Sequence, residues 1–573
     1  ARVRVKARFI YDKEFRKCTN IVLSFFLFSE KRSFFIFGKI RKYAHTHTHT
    51  RMFPKTNELD RDKGEDGCTF SEDFVTLDTK KGCFAKRTRV IILSCVNGSL
   101  GDVTPVLSLA KSLRALEPSW TRICVIVNEY FEETCSEELL EKDSINAIEF
   151  HFVSKREEYE NVLSRKKKQT RSVVDYFLST SAEHYGILKS IINSYESFVI
   201  CAIPLDFACK FLQEEFEERR MPSTSIQTFE FISILLTPAL LLSSDVTHHP
   251  VTGLLCKSRF HFKINDFLVD CIFKKAINNC RRKLIGLTGT VSRGIFKEYF
   301  LLPRIICMFP RWYHLHEIPE YYPLPSKTLH TVQTNFPSTT RSITRCEEED
   351  IHDLLKLGIK ERIFARRPKT IVVVISASGN PQISKKYFKC VIDAVSATSD
   401  LMAKFSVICL TKFIDRLPLK SPDRIDNIFH IDFCPFSPLL KYLKAHDNSN
   451  IIVINHATIG VSRATLALGI PQILVPISFD QPDNARRLEA LRVALTCPIY
   501  QFSKKRCLQM LENIEKNIDE LLKSCEACRH DLFERDPAGS GLAEAADIIL
   551  ETLTGKTGWQ HEMDLVKKRD FSF

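Results

Sequence analysis

The stretch from Ile451 to Glu489, "IIVINHATIGVSRATLALGIPQILVPISFDQPDNARRLE", restricts the fold more than any other part of this 573-residue chain. Four apolar residues, Ile451 to Ile454, end at Asn455-His456. A turn of small residues follows, then a helical run to Leu468. Gly469 and Pro471 stop that run, as a left-handed cap and a following proline do. A second apolar strand, Ile473 to Ile477, ends at Asp480-Gln481. Polar groups just past the carboxyl ends of buried strands mark the ligand side of an open α/β sheet.

A similar unit lies far upstream, in "RVIILSCVNGSLGDVTPVLSLAKSLRAL". Val90 to Val96 read as a strand, followed by a turn and a helix. Thr104 and Pro105 supply an N-cap and a proline at the first helical position. Val106, Leu109, Ala110, Leu113 and Leu116 recur at helical spacing. A nicotinamide-binding turn would need G-x-G-x-x-G, and "GSLGDV" lacks that spacing.

Both segments resemble UDP-glycosyltransferases. The downstream one resembles their donor-site signature: His-Gly-Gly-x-Gly-Thr, an Ala-rich helix, a Gly-x-Pro stop, a strand ending in Pro, then Asp-Gln and Asn-Ala. His456, Gly460, Gly469, Pro471, Pro476, Asp480, Gln481, Asn484 and Ala485 match, while Ala457 and Thr458 stand for the two glycines and Val461 for the Thr. The upstream turn is similar to the sterol glucosyltransferase branch at Gly98, Ser99, Gly101, Asp102, Val103 and Pro105, with Leu100 replacing an arginine. "ISASGN", Ile375 to Asn380, stands where the family has a Gly-rich turn near the donor phosphates. "RRKLIGLTG" and the C-terminal "DPAGSGLAEAADIIL" resemble two further landmarks.

The resemblance implies a GT-B fold, with two Rossmann-like α/β domains whose parallel sheets face each other across a cleft. It implies a UDP-sugar as co-substrate, no cofactor and no metal, and a lipid or sterol-like acceptor. Asp102 would be the catalytic base, in competition with a plain helix-capping role; Thr104 as cap leaves Asp102 for catalysis. Ser99, Ser378, His456, Thr458, Gly460, Val461, Asp480 and Gln481 would bind the donor. The leaving diphosphate wants a helix N-terminus and backbone N–H groups. The Cβ atoms of Ala457 and Thr458 would hinder that approach, although the Thr458 hydroxyl can itself donate to a phosphate. His248 and His249, after the apolar run from Thr228, would line the acceptor pocket. The altered glycines favour a rival, a degenerate GT-B protein that binds nucleotide-sugar or lipid without transfer. A third reading is a GT-B-like sugar-nucleotide epimerase, which needs paired carboxylates in the cleft.

Net charge is +13, but residues 1–51 hold 13 Lys/Arg against 3 Asp/Glu. The remainder is nearly balanced, which argues against a nucleic-acid partner. One reading makes residues 1–51, with "HTHTHT" at His45 to Thr50, translated upstream sequence and Met52 the start. The alternatives are a His-rich metal tract or a targeting peptide. Twenty scattered cysteines suit buried reduced thiols in a cytoplasmic protein, and Cys525-x-x-Cys528 with His530 reads as structural filler. "RKKK" at Arg165 to Lys168 is a solvated helix face or a peripheral membrane contact.

The expected organisation is an extension over 1–87, an acceptor domain over 88–322 and a linker over 323–347. A nucleotide-sugar domain over 348–555 and a tail over 556–573 complete it. Expected strands are 90–96, 122–128, 148–154 and 198–204, then 370–376, 405–411, 428–433, 450–455 and 472–477.

Overall fold

The computed structural model describes residues 89–554 apart from 117–120, 140–147, 165–175, 220–227, 241–258, 315–329, 338–367 and shorter stretches that include 377–380 and 534–540. The expectations for residues 1–87, the basic run 165–168, His248, His249, Ser378 and the tail 556–573 fall outside the described residues.

Seven strands build the first sheet: β1 Arg89–Cys95, β2 Thr121–Asn128, β3 Ile148–Val153, β4 Ser197–Ala202, β5 Thr228–Leu235, β6 Arg304–Met308 and β7 His330–Thr334. Their order is β3-β2-β1-β4-β5-β6-β7. Six build the second: β8 Thr370–Ile375, β9 Phe405–Leu410, β10 Ile428–Ile431, β11 Asn450–Asn455, β12 Gln472–Leu474 and β13 Ala494–Thr496, ordered β10-β9-β8-β11-β12-β13. Every strand pair is parallel. Helices cover both faces of such sheets, so central strands are apolar throughout rather than alternating. Strands β4 "SFVICA" and β9 "FSVICL" are buried at every position.

The helices that matter below are α1 Leu100–Leu116, α2 Ser181–Ile192, α3 Phe207–Arg219, α4 Arg259–Ile285, α5 Pro381–Val395, α6 Ile459–Leu466, α7 Gln481–Ala490 and α8 Gly541–Leu553. In each sheet the strand order reverses once, between β1 and β4 and between β8 and β11. Those two crevices are where ligands bind in open α/β sheets.

Three boundaries differ from expectation. Helix α1 begins at Leu100, so Thr104 and Pro105 lie inside it rather than at its start. Tertiary contacts tolerate the proline, whose missing N–H leaves the Gly101 carbonyl without a helical donor. The stretch read as a linker, 323–347, contains β7, which pairs with β6 at the edge of the first sheet. Helix α8, assigned by sequence to the second domain, packs into the first: Leu542, Ala545, Ala546, Ile549 and Leu553 join the core that holds Val106, Leu109 and Leu113. Gly541 makes that crossing fit, because a Cβ there would sit 2.2 Å from the Asn335 carbonyl oxygen.

One apolar cluster bridges the two sheets. Leu235, Ile305, Phe309 and Tyr313 from the first domain pack with Ala457, Leu466, Leu474 and Leu488 from the second.

Candidate active site

The first crevice is held by a buried carboxylate. Asp206 follows β4, and its oxygens accept from the Ser94 hydroxyl (2.5 Å), the Val96 N–H (3.1 Å) and the Asn97 N–H (3.0 Å) at the end of β1. The Asn97 amide donates back to the Leu205 carbonyl at 2.8 Å. Ser94 also bonds His184 Nε2 of α2 at 3.0 Å. Burial lifts the Asp206 carboxyl to about 6 and depresses His184 to about 3, so this histidine is neutral. The network stitches β1 to β4 and fixes the turn that leads into α1.

Asp102 sits at the tip of that turn, half-buried. Ser99 is the residue before α1, and Asp102 Oδ2 accepts both its N–H and its hydroxyl at 2.8 Å. Both bonds run from Ser99 to the carboxylate, so Asp102 caps the Ser99 N–H without the return bond of a full Ser-x-x-Asp capping box. The cap expected from Thr104 therefore belongs to Ser99 and Asp102. Both bonds fall on Oδ2, and burial raises the Asp102 pKa above the ordinary carboxylate value. Gly98 has no room for a side chain, since a Cβ would meet Cys95 Sγ at 2.6 Å and Asp102 Cβ at 2.8 Å.

The second crevice is stitched in a similar way. His456 follows β11 and is buried. Its Nδ1 lies 2.8 Å from the Val475 carbonyl, which can only accept, so the proton is on Nδ1. Nε2 then accepts from the Ser376 hydroxyl at 3.2 Å, at the end of β8, and Ser376 bonds Ser384 of α5 at 2.9 Å. The imidazole packs on Tyr387 with ring centres 4.4 Å apart. Burial pushes His456 to about 4, so it is neutral. The N-terminus of α6 points its dipole's positive end at this crevice, as first-turn N–H groups of a helix do in general.

Ala457 adopts a left-handed φ of 59°, held by its N–H donating to Asn455 Oδ1 at 2.7 Å. It is 0% exposed, inside the cluster between the two sheets. Thr458 precedes α6, and its hydroxyl makes no capping bond. Gly460 is exposed, with nothing within 4 Å of where a Cβ would sit. Val461 is half-buried one residue further along the same turn.

After β12, the Gln481 side-chain oxygen accepts from the N–H groups of Ile477 (2.9 Å) and Ser478 (3.3 Å) and closes the turn. Its amide NH2 is what it can offer a ligand. Asp480 makes no capping bond to α7; its Oδ2 accepts from Asn484 Nδ2 at 2.8 Å. Burial first, and then the Asp102 carboxylate, raise Asp480 to about 7. Asp102 from the first domain thus acts electrostatically on Asp480 from the second.

Sequence reasoning missed Asn484 as a hub. Its Nδ2 donates to Asp480 and to the Ala457 carbonyl (3.2 Å). Its Oδ1 accepts from Thr237 Oγ1 (2.9 Å) and the Tyr313 hydroxyl (3.1 Å) in the other domain. Beside it, buried Arg487 donates to Asp483 at 2.6 Å and to the Tyr313 carbonyl at 3.3 Å. The Asp480-Gln481-x-x-Asn484 pattern was visible in sequence, but partners 171 and 247 residues away leave no local signal.

Among the described residues, one group elsewhere has metal-ligand chemistry. Cys124, Glu149 and His151 bring their ligand atoms within 4.8 Å of one another on β2 and β3. Arg122 is ion-paired to Glu149 there and supplies the positive charge.

Two doubly wound parallel sheets, joined by α8 crossing back to the first, define the GT-B fold. A solved glycosyltransferase of kitacinnamycin matches it with a TM-score of 0.52 at 14% identity, over 82% of this chain and 99% of that one. The spinosyn forosaminyltransferase gives 0.48 at 12% identity, over 80% and 98%. A glycosyltransferase from Streptomyces nogalater gives 0.43 at 14%, over 81% and 98%. No family model and no curated protein matches the sequence. At these identities the first of the three likenesses carries the fold and nothing finer.

Proposed function

We propose that this protein transfers a hexose from a UDP-sugar to a hydroxyl of a lipid or sterol-like small acceptor, with inversion at the anomeric carbon and no metal. Asp102 takes the acceptor proton as its oxygen attacks the anomeric carbon. The bond from that carbon to the diphosphate breaks, and the departing charge meets the N–H groups of α6 and the Thr458 hydroxyl. Asp480 and the Gln481 amide hold sugar hydroxyls. The neutral His456 serves through Ser376, as an orienting group rather than a cation. A lipid acceptor would give the protein a peripheral membrane contact, and mostly buried cysteines outside any disulfide among the described residues suit a cytoplasmic place of work.

The observation that supports this reading is positional: Asp102 follows β1 at the first switch point, His456 follows β11 at the second, Asp480 and Gln481 follow β12, and one apolar cluster joins the two sheets. The pair Asp102 and Asp480 is what the epimerase reading asks for. His456, with both ring nitrogens engaged, favours the degenerate, binding-only reading; Ala457, buried away from the crevice, does not. One experiment separates all three: incubation of the full chain with UDP-glucose, UDP-galactose and UDP-GlcNAc, with and without a sterol acceptor. Transfer requires product only with acceptor present. Interconversion of UDP-sugars without acceptor marks an epimerase, and binding without either marks the degenerate protein. If transfer occurs, Asp102→Asn is expected to lower turnover about 10²–10⁴-fold with donor binding retained; near-normal turnover would reduce Asp102 to its capping role.

A further inference from the structure

We propose that the outer face of α4 docks the protein on an anionic lipid bilayer. This deepens the membrane contact in the reading above, and its test does not depend on transfer activity.

Helix α4 runs for 27 residues. Its inner stripe, Val269, Phe273, Ile277 and Ile285, is buried with Phe207 and Phe211 of α3. A surface helix needs one such apolar stripe. This one carries a second, facing out. Phe267 is 50% exposed, Leu268 and Ile272 are each 37% exposed, and Cys271 between them is exposed too. At 100° per residue these four fall in one sector of the helix. The other exposed side chains described on α4 are His261, Lys263, Lys274, Lys275, Arg282 and Lys283. The helix's two acids are withdrawn from that face. Asp266 is half-buried, and Asp270 is buried, accepting from the Gly294 (2.9 Å) and Ile295 (2.8 Å) N–H groups.

The exposed face is therefore an apolar centre with cations along the helix on both sides and no exposed carboxylate of its own. That composition fits a helix lying in a membrane interface. Phe267, Leu268 and Ile272 would enter the acyl boundary, and lysine stems would reach up to lipid phosphates. Each basic residue near an anionic surface adds favourable energy, and a neutral surface offers none of it. Among the described residues no helix is long and apolar enough to cross a membrane, so this contact is peripheral.

The test is sedimentation of the full chain with vesicles of phosphatidylcholine, with and without phosphatidylserine. Binding to the phosphatidylserine vesicles alone, weakened by high salt, is the expected result. Leu268→Glu with Ile272→Glu, and separately Lys274→Glu with Lys275→Glu, are each expected to weaken it roughly tenfold or more. Melting temperature checks that the variants fold, and the lysine pair carries the test if the apolar pair does not. Equal binding to neutral vesicles would overturn the proposal. So would binding that survives both variants, which would assign it to another basic segment. Failure to bind vesicles would overturn it as well, and self-association abolished by Leu268→Glu with Ile272→Glu would then make the face a protein contact.

Discussion

Ala457→Gly restores the residue that the donor signature favours, and the structure sets what it should do. The sequence suggests that the alanine methyl blocks a phosphate. In the fold, however, Ala457 is wholly buried in the cluster that also holds Leu466, Leu474 and Leu488. No ligand reaches that methyl. Three effects on stability then compete. Glycine relieves a left-handed φ of 59°, worth about 1–2 kcal/mol for a residue with a Cβ. It loosens the unfolded chain, which costs about 0.4–1 kcal/mol. It removes one buried carbon, which costs about 0.8 kcal/mol. These nearly cancel, so thermal melting should move by no more than a few degrees. UDP titrated calorimetrically into both proteins should give affinities within about threefold. A gain of about tenfold, or 1.4 kcal/mol, would refute this and reinstate the steric obstacle. Thr458→Gly is the counterpart: it deletes a hydroxyl that makes no capping bond, and weaker UDP binding is the expected outcome.

Asn484→Ala strands the Thr237 and Tyr313 hydroxyls in the domain interface, and denaturant titration should show a loss of about 2–4 kcal/mol; an unchanged midpoint would mean that the hub is decorative. Asp480→Asn tests the raised carboxyl. A proton held more tightly in the folded chain adds stability at low pH, and that stability is lost as pH climbs from the ordinary 3.8 through about 7. The asparagine variant should therefore gain on the parent steadily between pH 4 and 7, as read by melts of both proteins; a constant difference would show that Asp480 titrates normally. Neutral buried His184 and His456 act in the opposite sense, losing stability as pH falls below 6.5, but they are common to both proteins and leave the difference untouched. Gly541→Ala drives a methyl into the Asn335 carbonyl and should lower the melting temperature by several degrees; an unaltered melt would mean that α8 can shift freely.

Most central strands were legible because a strand buried on both faces is an unbroken apolar run, as in "RVIILSC" and "NIIVIN"; interior β6, "RIICM", was not among those expected. Strand β7, "HTVQT", was not, since an edge strand is half polar and reads as loop. Nor was β13, only 3 residues long. The start of α1 was misplaced because Thr-Pro is a strong local start signal, whereas the true cap depends on Ser99 and Asp102 bonding to each other. Gly469 was read correctly as a left-handed stop, with φ of 63°. The donor turn's residues were visible in sequence, but their states were not. That His456 is neutral and Ala457 inaccessible follows from burial by Tyr387 and by the far domain, which no local window contains.

Helix α8 changes the mechanics of the whole molecule. The polypeptide passes from the first domain to the second between β7 and β8, and it returns before Gly541. Two lobes tied by one strand of chain can swivel in any direction, like a ball on a string. Tied by two, they have fewer ways to part. The second crossing adds its tie to the buried cluster and the Asn484 bonds that already hold the two domains together. Helix α8, although it follows every strand of the second sheet in sequence, thus lends its apolar face to the first.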